Sequence, residues 1–406
     1  MSEVRTSAES TRSTPWGVLG AAALGWALLV AVLIGRLRNN LDATLHRDET
    51  IAWTYASLPA TEIPEALTFD VNPPLYFLAL HAWLAGGDEA VSLRLLSVLA
   101  IVAAAVVAFD AGRRAAGGRA AAGWLASAFV LLAPSTVALA GLARPYALAY
   151  LLGMVAMSAA IRLAQRSGWG SLVILGLAGG LLPLTHYWGG LLLLAIMAGL
   201  ACTAWLTRRA DLLVRSAAAT GLALLALLPW APTLLSQLGN SPLAAHQVPD
   251  AELLGVTLTV GAGGRAAAWV LGIAAVVGIV ALVRRHRQGL TPPPQRRDAA
   301  RILLVSTTAA GIGIVTLLWL VSQARPLFTP NYAYIVLAPT ALLVGVTLSR
   351  RWWTAAIVVA ALLVPSVPDF ERSVTADEPE RISSGPESDI AARRELTTSP
   401  RDILGT

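Results

Sequence analysis

Two adjacent carboxylates, Asp48 and Glu49, follow the first long apolar run of the chain, which covers residues 17–34. Acidic side chains this close to a membrane surface cost free energy unless they are solvated, and where they are kept they often have a functional role. A positioned carboxylate can take the proton of an acceptor hydroxyl, which contributes about 10²–10⁴-fold to the rate of a transfer reaction. We therefore predict Asp48 as a catalytic base, with Glu49 as its acidic helper. A solvated pair without a role is the structural alternative.

The composition indicates a membrane protein. The 406 residues are 56% hydrophobic and 13% charged, whereas a soluble domain carries about 25% charged residues. The mean hydropathy is +0.65, and the chain offers many runs of the about 20 apolar residues that cross a bilayer. We predict an all-α polytopic membrane protein, and the net charge of +6 is a topology signal rather than a nucleic-acid site.

Hydropathy divides the chain into about eleven predicted transmembrane helices. These spans are 17–34, 92–111, 120–138, 145–163, 170–186, 188–206, 214–234, 266–284, 301–321, 331–349 and 352–366. Residues 1–16 form a predicted cytosolic tail, and 17–366 form the membrane domain. The long outer segments are a first loop, 35–91, a second loop, 235–264, and an external tail, 367–406, whose polar composition predicts disorder.

The first outer loop contains one short apolar run, residues 75–84. About ten residues cannot cross a bilayer, so the run predicts a helix that lies in the membrane interface. Tyr76, His81 and Trp83 are amphipathic residues of the kind that settle there.

Arginine supplies all thirty basic side chains, and its distribution predicts the orientation. With the N-terminus inside, eighteen arginines fall in inner segments, seven in outer loops and the remaining five in the C-terminal tail. This bias follows the positive-inside rule and places Asp48 and Glu49 outside. The first apolar run is too long for a signal peptide, so we predict a retained anchor.

Polar residues from distant parts of the sequence are predicted to share this outer face. They are Asp70 and Asn72 before Pro73-Pro74, Arg94 at the start of the second span, Arg144 and Tyr146 at the start of the fourth, His186 at the end of the fifth, and Arg325 and Tyr332 between the ninth and tenth. The three arginines oppose the positive-inside pattern, so we predict that they bind an anionic group. The structural alternatives are a turn for Asp70 and Asn72, and a headgroup anchor for Arg94 and Arg144. For His186 the alternative is a simple helix-end residue.

Four short motifs resemble one known family. In chain order they are Asp48-Glu49, Asp70-Val71-Asn72-Pro73-Pro74-Leu75-Tyr76, Arg94-Leu95-Leu96-Ser97 and Arg144-Pro145-Tyr146-Ala147-Leu148. Their order and spacing resemble the GT-C class of glycosyltransferases, and more narrowly the bacterial relatives of protein O-mannosyltransferases and lipid A aminoarabinose transferase. The resemblance covers about the first 160 residues. Beyond them it rests on hydropathy and on Asn331-Tyr332, where relatives often have Arg-Tyr.

The resemblance implies a GT-C-like fold and a donor sugar on a polyprenyl phosphate, bound from the outer leaflet of a bacterial plasma membrane. It implies transfer with inversion to a hydroxyl of a glycan, lipid or protein, with mannose or arabinose as the sugars that relatives suggest. Asp48 matches the position of the family's catalytic acidic residue. The lipid phosphate leaves as an anion that nearby cations stabilise, and the transition state resembles an oxocarbenium ion.

One position departs from the family pattern. Many relatives carry an acidic residue just before the Arg-x-Tyr motif, where this chain has Leu142 and Ala143. No cofactor is therefore certain, and a divalent cation, Mg²⁺ or Mn²⁺, would have to be held by Asp48 and Glu49. Because of this departure, Glu49 and Asp70 are the residues that we predict as acidic helpers of Asp48.

Two other classes of protein stay open. A lipid or solute transporter without glycosyl transfer would explain the many spans and the outer arginines, but transporters usually carry ionisable residues near the bilayer midplane. Here the charges lie at the predicted helix ends, and Asp110 falls at an inner end. A catalytically inactive scaffold subunit would not require an intact Asp48.

Overall fold

The fold is all-α throughout the described part of the chain. The structure, a computed structural model, describes residues 15–70, 72–87, 89–166, 168–240, 248–287, 298–326 and 328–364. The predicted tail at 367–406 and most of the predicted tail at 1–16 lie outside the described residues.

Seventeen α-helices follow one another along these residues. They are α1 (Pro15–Leu37), α2 (Arg47–Ala56), α3 (Ile63–Ala66), α4 (Leu75–Leu84), α5 (Ala90–Ala115), α6 (Ala120–Leu132), α7 (Pro134–Ala140), α8 (Tyr146–Arg166), α9 (Trp169–Thr185), α10 (Trp188–Leu206), α11 (Ala210–Leu227), α12 (Ala231–Asn240), α13 (Ala251–Gly261), α14 (Arg265–Arg287), α15 (Ala299–Val321), α16 (Tyr334–Leu348) and α17 (Trp352–Leu363). Short 3₁₀ turns occur at Leu67–Phe69, Leu228–Trp230 and Pro330–Ala333.

Helices occupy every predicted span, and the multi-pass architecture is confirmed. Seven stretches of the described residues are long and apolar enough to cross a membrane, and two bent helix pairs raise the number to nine. The remaining predicted spans correspond to α9, with 17 residues, and α17, with 12. The predicted count of eleven is therefore not confirmed, because two of the helices are short for a complete crossing.

The two bent pairs pack against each other. A 59° bend separates α6 from α7 at Pro134, and an 85° bend separates α13 from α14. The Ser135 hydroxyl donates to the Val260 carbonyl at 2.8 Å. Gly263 has a φ of +96°, and a Cβ there would lie 2.6 Å from the Phe129 ring. Only glycine therefore suits this turn and this close approach.

Small residues bring the central helices into close contact. A Cβ at Gly123 of α6 would lie 2.5 Å from the Phe109 carbonyl of α5, and one at Gly345 of α16 would lie 2.5 Å from the Ala122 carbonyl of α6. Such contacts are how membrane helices pack without a hydrophobic driving force between them. They fix α5, α6 and α16 as a rigid unit.

The ends of three helices meet on one side of the bundle. Arg36, at the C-terminal end of α1, donates to the Leu132 carbonyl of α6 and to the Leu362 carbonyl of α17. The first, third and last predicted spans therefore end on the same side, as their alternation along the chain requires.

The first predicted outer loop forms a small helical layer. The predicted ten-residue helix is present as α4. Ala56, Ile63, Leu67, Phe77 and Leu80 form an apolar core within the layer. This core also packs against residues that begin α5 and precede α8, so the loop is anchored to the spans that carry the candidate site. The predicted loop 235–264 contains much of α12 and all of α13.

Candidate functional site

Glu49 lies fully buried at the junction of the first outer loop and two spans, with a side-chain exposure of 0%. One carboxylate oxygen accepts from Arg94 Nε at 3.0 Å and from the Ala143 backbone N–H at 2.7 Å. The other accepts from Arg94 Nη2 at 2.6 Å and from the His46 backbone N–H at 3.0 Å. Both oxygens are therefore occupied by protein donors.

The Arg94 guanidinium is equally occupied. Besides its two bonds to Glu49, Nη1 donates to the Asn40 and Ala43 carbonyls at 2.6 and 2.7 Å, and Nη2 donates to the Thr44 carbonyl at 3.2 Å. An arginine offers five N–H donors, and these bonds, with one from Nη1 to Leu41, engage all five. Arg94, predicted as a substrate ligand, thus joins the first outer loop to α5.

The departure from the family pattern at Leu142 and Ala143 has a structural counterpart. The Ala143 N–H donates to Glu49, and the Leu142 carbonyl accepts from the Ser97 hydroxyl at 2.6 Å. At this position the chain uses its backbone to hold the buried carboxylate.

Asp48 has the opposite environment to Glu49. Its carboxylate is 54% exposed and is ion-paired with Arg144 Nη1. The Arg144 side chain is 21% exposed, so the pair lies at the border between solvent and protein. Asp48 is therefore accessible to an incoming hydroxyl group, whereas Glu49 is not.

A hydrogen-bonded chain extends from this pair into the bundle. Arg144 Nη2 donates to the Tyr146 hydroxyl at 3.0 Å, and Asn331 Nδ2 donates to the same hydroxyl at 3.1 Å. The Arg144 guanidinium carbon lies 5.3 Å from the centre of the Tyr146 ring, a favourable cation–π distance. Tyr146 and Asn331 thereby hold Arg144 in the orientation that meets Asp48.

Aromatic rings form a wall beside Tyr146. The Tyr146 and His186 rings lie 5.1 Å apart, His186 and Trp188 lie 5.6 Å apart, and Trp188 and Tyr332 lie 3.6 Å apart. Tyr334 packs on Tyr146 from the other side at 4.9 Å. The predicted ligands His186 and Tyr332 therefore belong to one aromatic surface that begins at Arg144.

His186 is held in its neutral form. Burial, and then the nearby charge of Arg144, lower the pKa of His186 to about 3. The Trp188 backbone N–H donates to its Nδ1 at 3.3 Å, which a neutral imidazole can accept with its proton on Nε2. At neutral pH His186 is an uncharged polar group beside the arginine.

Asp70 and Asn72 lie on a second edge of the same layer. Asn72 Nδ2 donates to the Asp70 carboxylate at 3.2 Å. Burial, the charge of Asp70 and a hydrogen bond to it raise the pKa of Tyr55 to about 12. Gln237 donates to the Asp70 backbone carbonyl and accepts from the Tyr187 hydroxyl. Because Tyr187 follows His186, this edge is joined to the aromatic wall.

Arg325 is not joined to these residues. It follows α15, and its side chain is exposed. Across the described ranges it makes no ion pair within 4.0 Å. The structure thus brings nine of the ten predicted site residues into one contact network, and Arg325 lies outside it.

The residues present do not form a metal site. Within the described ranges, no group of three or more His, Cys, Asp or Glu side chains is placed to hold a metal ion. Glu49, which was predicted to share a cation with Asp48, is saturated by four N–H donors. We therefore derive no step through a divalent cation.

Sequence reasoning missed several residues that complete the network. They are Tyr55, Trp188, Gln237 and Tyr334. The run His186-Tyr187-Trp188 is a signal that could have found Trp188, because it places three consecutive ring-bearing residues where one predicted span ends and the next begins. Gln237 and Tyr55 carry no such signal, since their roles depend on contacts between distant segments.

The comparisons with known proteins identify the fold. ArnT from Cupriavidus metallidurans bound to undecaprenyl phosphate is 18% identical, with a TM-score of 0.57 over 82% of this chain and 63% of that chain. ArnT of the same organism in the apo state is 18% identical, with a TM-score of 0.52 over 89% of this chain and 66% of that chain. The chain thus spans slightly less than two thirds of the length of ArnT. No family model and no curated protein matches the sequence. The predicted GT-C-like fold is confirmed.

Proposed function

We propose that this membrane protein is a glycosyltransferase that moves a sugar from a polyprenyl-phosphate donor to a hydroxyl group of a glycan, lipid or protein, at the outer face of the membrane. The fold supports this proposal, because ArnT has the same fold and has been crystallised with undecaprenyl phosphate. The observation that carries it is the exposed Asp48 carboxylate paired with Arg144, which combines a base and a phosphate-binding cation at one point.

The proposed reaction is a single displacement. Asp48 takes the proton of the acceptor hydroxyl while the hydroxyl oxygen attacks the anomeric carbon of the donor sugar. The bond between that carbon and the phosphate oxygen breaks, and its electron pair leaves with the polyprenyl phosphate. Because attack and departure occur on opposite faces of the sugar, the anomeric configuration inverts, and the transition state has oxocarbenium character.

Arg144 is the proposed ligand of the departing phosphate. Its Nε has no hydrogen-bond partner among the described residues, and its side chain is partly exposed. A guanidinium can bind phosphate oxygens with two parallel hydrogen bonds, and stabilising the leaving charge lowers the barrier. Arg325 stays a predicted second cation for the phosphate; its side chain is exposed and lies outside the contact network.

Glu49 and Arg94 receive a different role in this proposal. All donors of Arg94 and both oxygens of Glu49 are engaged within the protein. We assign them as positioning residues that hold α2, and with it Asp48, against the start of the membrane domain. Neither would touch the donor.

The remaining network residues suit recognition of the sugar. Binding sites for small polar ligands combine aromatic walls with a few oriented polar groups. The Tyr146, His186 and Tyr332 rings offer such a wall. Asp70 and Asn72, on the second edge of the layer, would orient the sugar or the acceptor by hydrogen bonds.

The experiment uses the purified full chain in lipid nanodiscs with a panel of polyprenyl-phosphate-linked sugars. We expect release of free polyprenyl phosphate and a product whose anomeric configuration is opposite to that of the donor. A protein that binds these lipids and moves them across a bilayer, but never cleaves the sugar from the phosphate, would be the transporter named above. A reporter fused at residue 290 should read as cytosolic, and an external signal would reverse the proposed orientation.

A further inference from the structure

The proposed base and the proposed phosphate ligand are bound to each other in this structure. Arg144 Nη1 pairs with the Asp48 carboxylate. A carboxylate that is paired with a guanidinium is a poorer proton acceptor than a free one, because the cation stabilises its charged form. This inference rests on the proposed function, in which the same guanidinium also binds the donor phosphate.

We propose that Arg144 is a shared ligand, paired with Asp48 before the donor binds and with the donor phosphate afterwards, so that donor binding releases the base. Two anions, the Asp48 carboxylate and the phosphate, then compete for one cation. The donor phosphate is a diester with one negative charge and two free oxygens, and a guanidinium can bind both oxygens with two parallel hydrogen bonds, so it can take the place of the exposed carboxylate.

The surroundings of Arg144 allow this exchange without moving the guanidinium. Tyr146 accepts a hydrogen bond from Nη2 and is itself held by Asn331. The partner that can move is Asp48, since its side chain is 54% exposed and lies on a loop helix. An exposed ion pair contributes little to stability, so an incoming phosphate can displace it.

No other predicted cation offers the same exchange. All five N–H donors of Arg94 already bind protein acceptors, and Arg325 makes no ion pair with a carboxylate in the described ranges. The consequence is an order of events. Asp48 becomes a free carboxylate only when a phosphate occupies Arg144, so the acceptor hydroxyl is deprotonated only beside a loaded donor.

Binding of undecaprenyl phosphate alone tests the exchange without requiring catalysis. The full-length protein in nanodiscs is titrated with undecaprenyl phosphate, as wild type and as Asp48→Asn. Removing the competing carboxylate should tighten binding about three- to tenfold, although the same variant removes the proposed base. Arg144→Gln should weaken binding about tenfold or more.

The matched control is Asp42→Asn, because Asp42 is an exposed carboxylate of the same loop with no ion pair to Arg144 among the described contacts. Its affinity should stay within about twofold of wild type, and thermal unfolding checks that every variant is folded. Unchanged or weaker binding in Asp48→Asn, an equal gain in Asp42→Asn, or unchanged binding in Arg144→Gln would overturn the shared ligand. A wild-type protein that does not bind undecaprenyl phosphate would overturn the proposed donor as well.

Discussion

Two neighbouring carboxylates of α2 differ in almost every physical respect except their chemistry. Glu49 and Asp48 each pair with an arginine, but Glu49 and its partner Arg94 are 0% and 2% exposed. Asp48 and its partner Arg144 are 54% and 21% exposed. Backbone donors and acceptors from two segments, residues 40–46 and Ala143, satisfy the buried pair, whereas the exposed pair keeps free hydrogen-bonding capacity.

The difference shows how α2 carries a structural residue and a proposed catalytic residue at adjacent positions. Consecutive residues of an α-helix point about 100° apart, so a buried Glu49 turns Asp48 toward solvent. The buried pair then fixes the helix, and the exposed pair is presented by it. Asp48 and Glu49 are adjacent in the sequence but belong to two different sites, and variants of each residue can be tested separately.

The largest expected effect belongs to the buried pair. Glu49→Gln should lower the free energy of unfolding by about 3–5 kcal/mol, because it leaves the Arg94 charge buried without a counter-charge. We expect a lower unfolding temperature and a low yield of folded protein in detergent. The unfolding temperature is measured by thermal unfolding, followed by the fluorescence of a thiol-reactive or hydrophobic dye.

A double replacement sharpens this prediction. Changing Glu49→Gln together with Arg94→Gln removes both charges at once, and each amide side chain can keep part of the hydrogen bonding to the surrounding backbone groups. The double variant should therefore be more stable than Glu49→Gln alone. A Glu49→Gln protein as stable as wild type would mean that the pair does not hold α2.

The next effect concerns the support of the exposed pair. Tyr146→Phe removes the hydroxyl that links Arg144 to Asn331, and should lower transfer about tenfold, since hydrogen bonds to charged groups contribute about 1.5–3 kcal/mol. Tyr150→Phe is the matched control, because the Tyr150 hydroxyl lies on the same helix, is buried and has no hydrogen-bond partner among the described residues. Equal losses of transfer activity in the two variants would mean that the Tyr146 hydroxyl does not support Arg144.

The smallest effect is a pH dependence at His186. Its folded pKa of about 3 lies below the ordinary value of about 6.5, so the unfolded chain takes up a proton that the folded chain does not. Stability from this group is complete above about pH 6.5 and is lost as the pH falls toward 3. Wild type should lose up to about 2 kcal/mol more than His186→Gln between pH 7 and pH 5.

Unfolding temperatures of the two proteins across this pH range measure the difference. The pH profile of transfer should keep its shape in His186→Gln, because a neutral imidazole does not titrate there. Parallel stability curves for wild type and variant would contradict the lowered pKa of His186.

Hydropathy predicts most of this fold, because each span must satisfy its own backbone in lipid. Every predicted span contains a helix, and the ten-residue helix at Leu75–Leu84 is present. The bends are less predictable. Pro134 could signal the first one, but the contact between Gly263 and Phe129 joins segments that are far apart in sequence.

The sequence could predict that these polar residues lie near one another, but not which contacts each of them makes. Positive-inside counting predicts that Asp48, Glu49, Arg94 and Arg144 share one face. It cannot predict which carboxylate is buried, because this depends on the rotation of α2 against α5. Contacts such as that of Gln237 with the Asp70 carbonyl, 167 residues away, follow only from the assembled bundle.

The most direct test of the central claim measures transfer and unfolding on the same preparations of Asp48→Asn and Glu49→Gln. Asp48→Asn should keep its unfolding free energy within about 1 kcal/mol of wild type, because its ion pair is exposed, and should lose transfer by about 10²–10⁴-fold. Glu49→Gln should lose stability, and the fraction that stays folded should retain more transfer than Asp48→Asn does. Full transfer by a folded Asp48→Asn protein would contradict the assignment of Asp48 as the base.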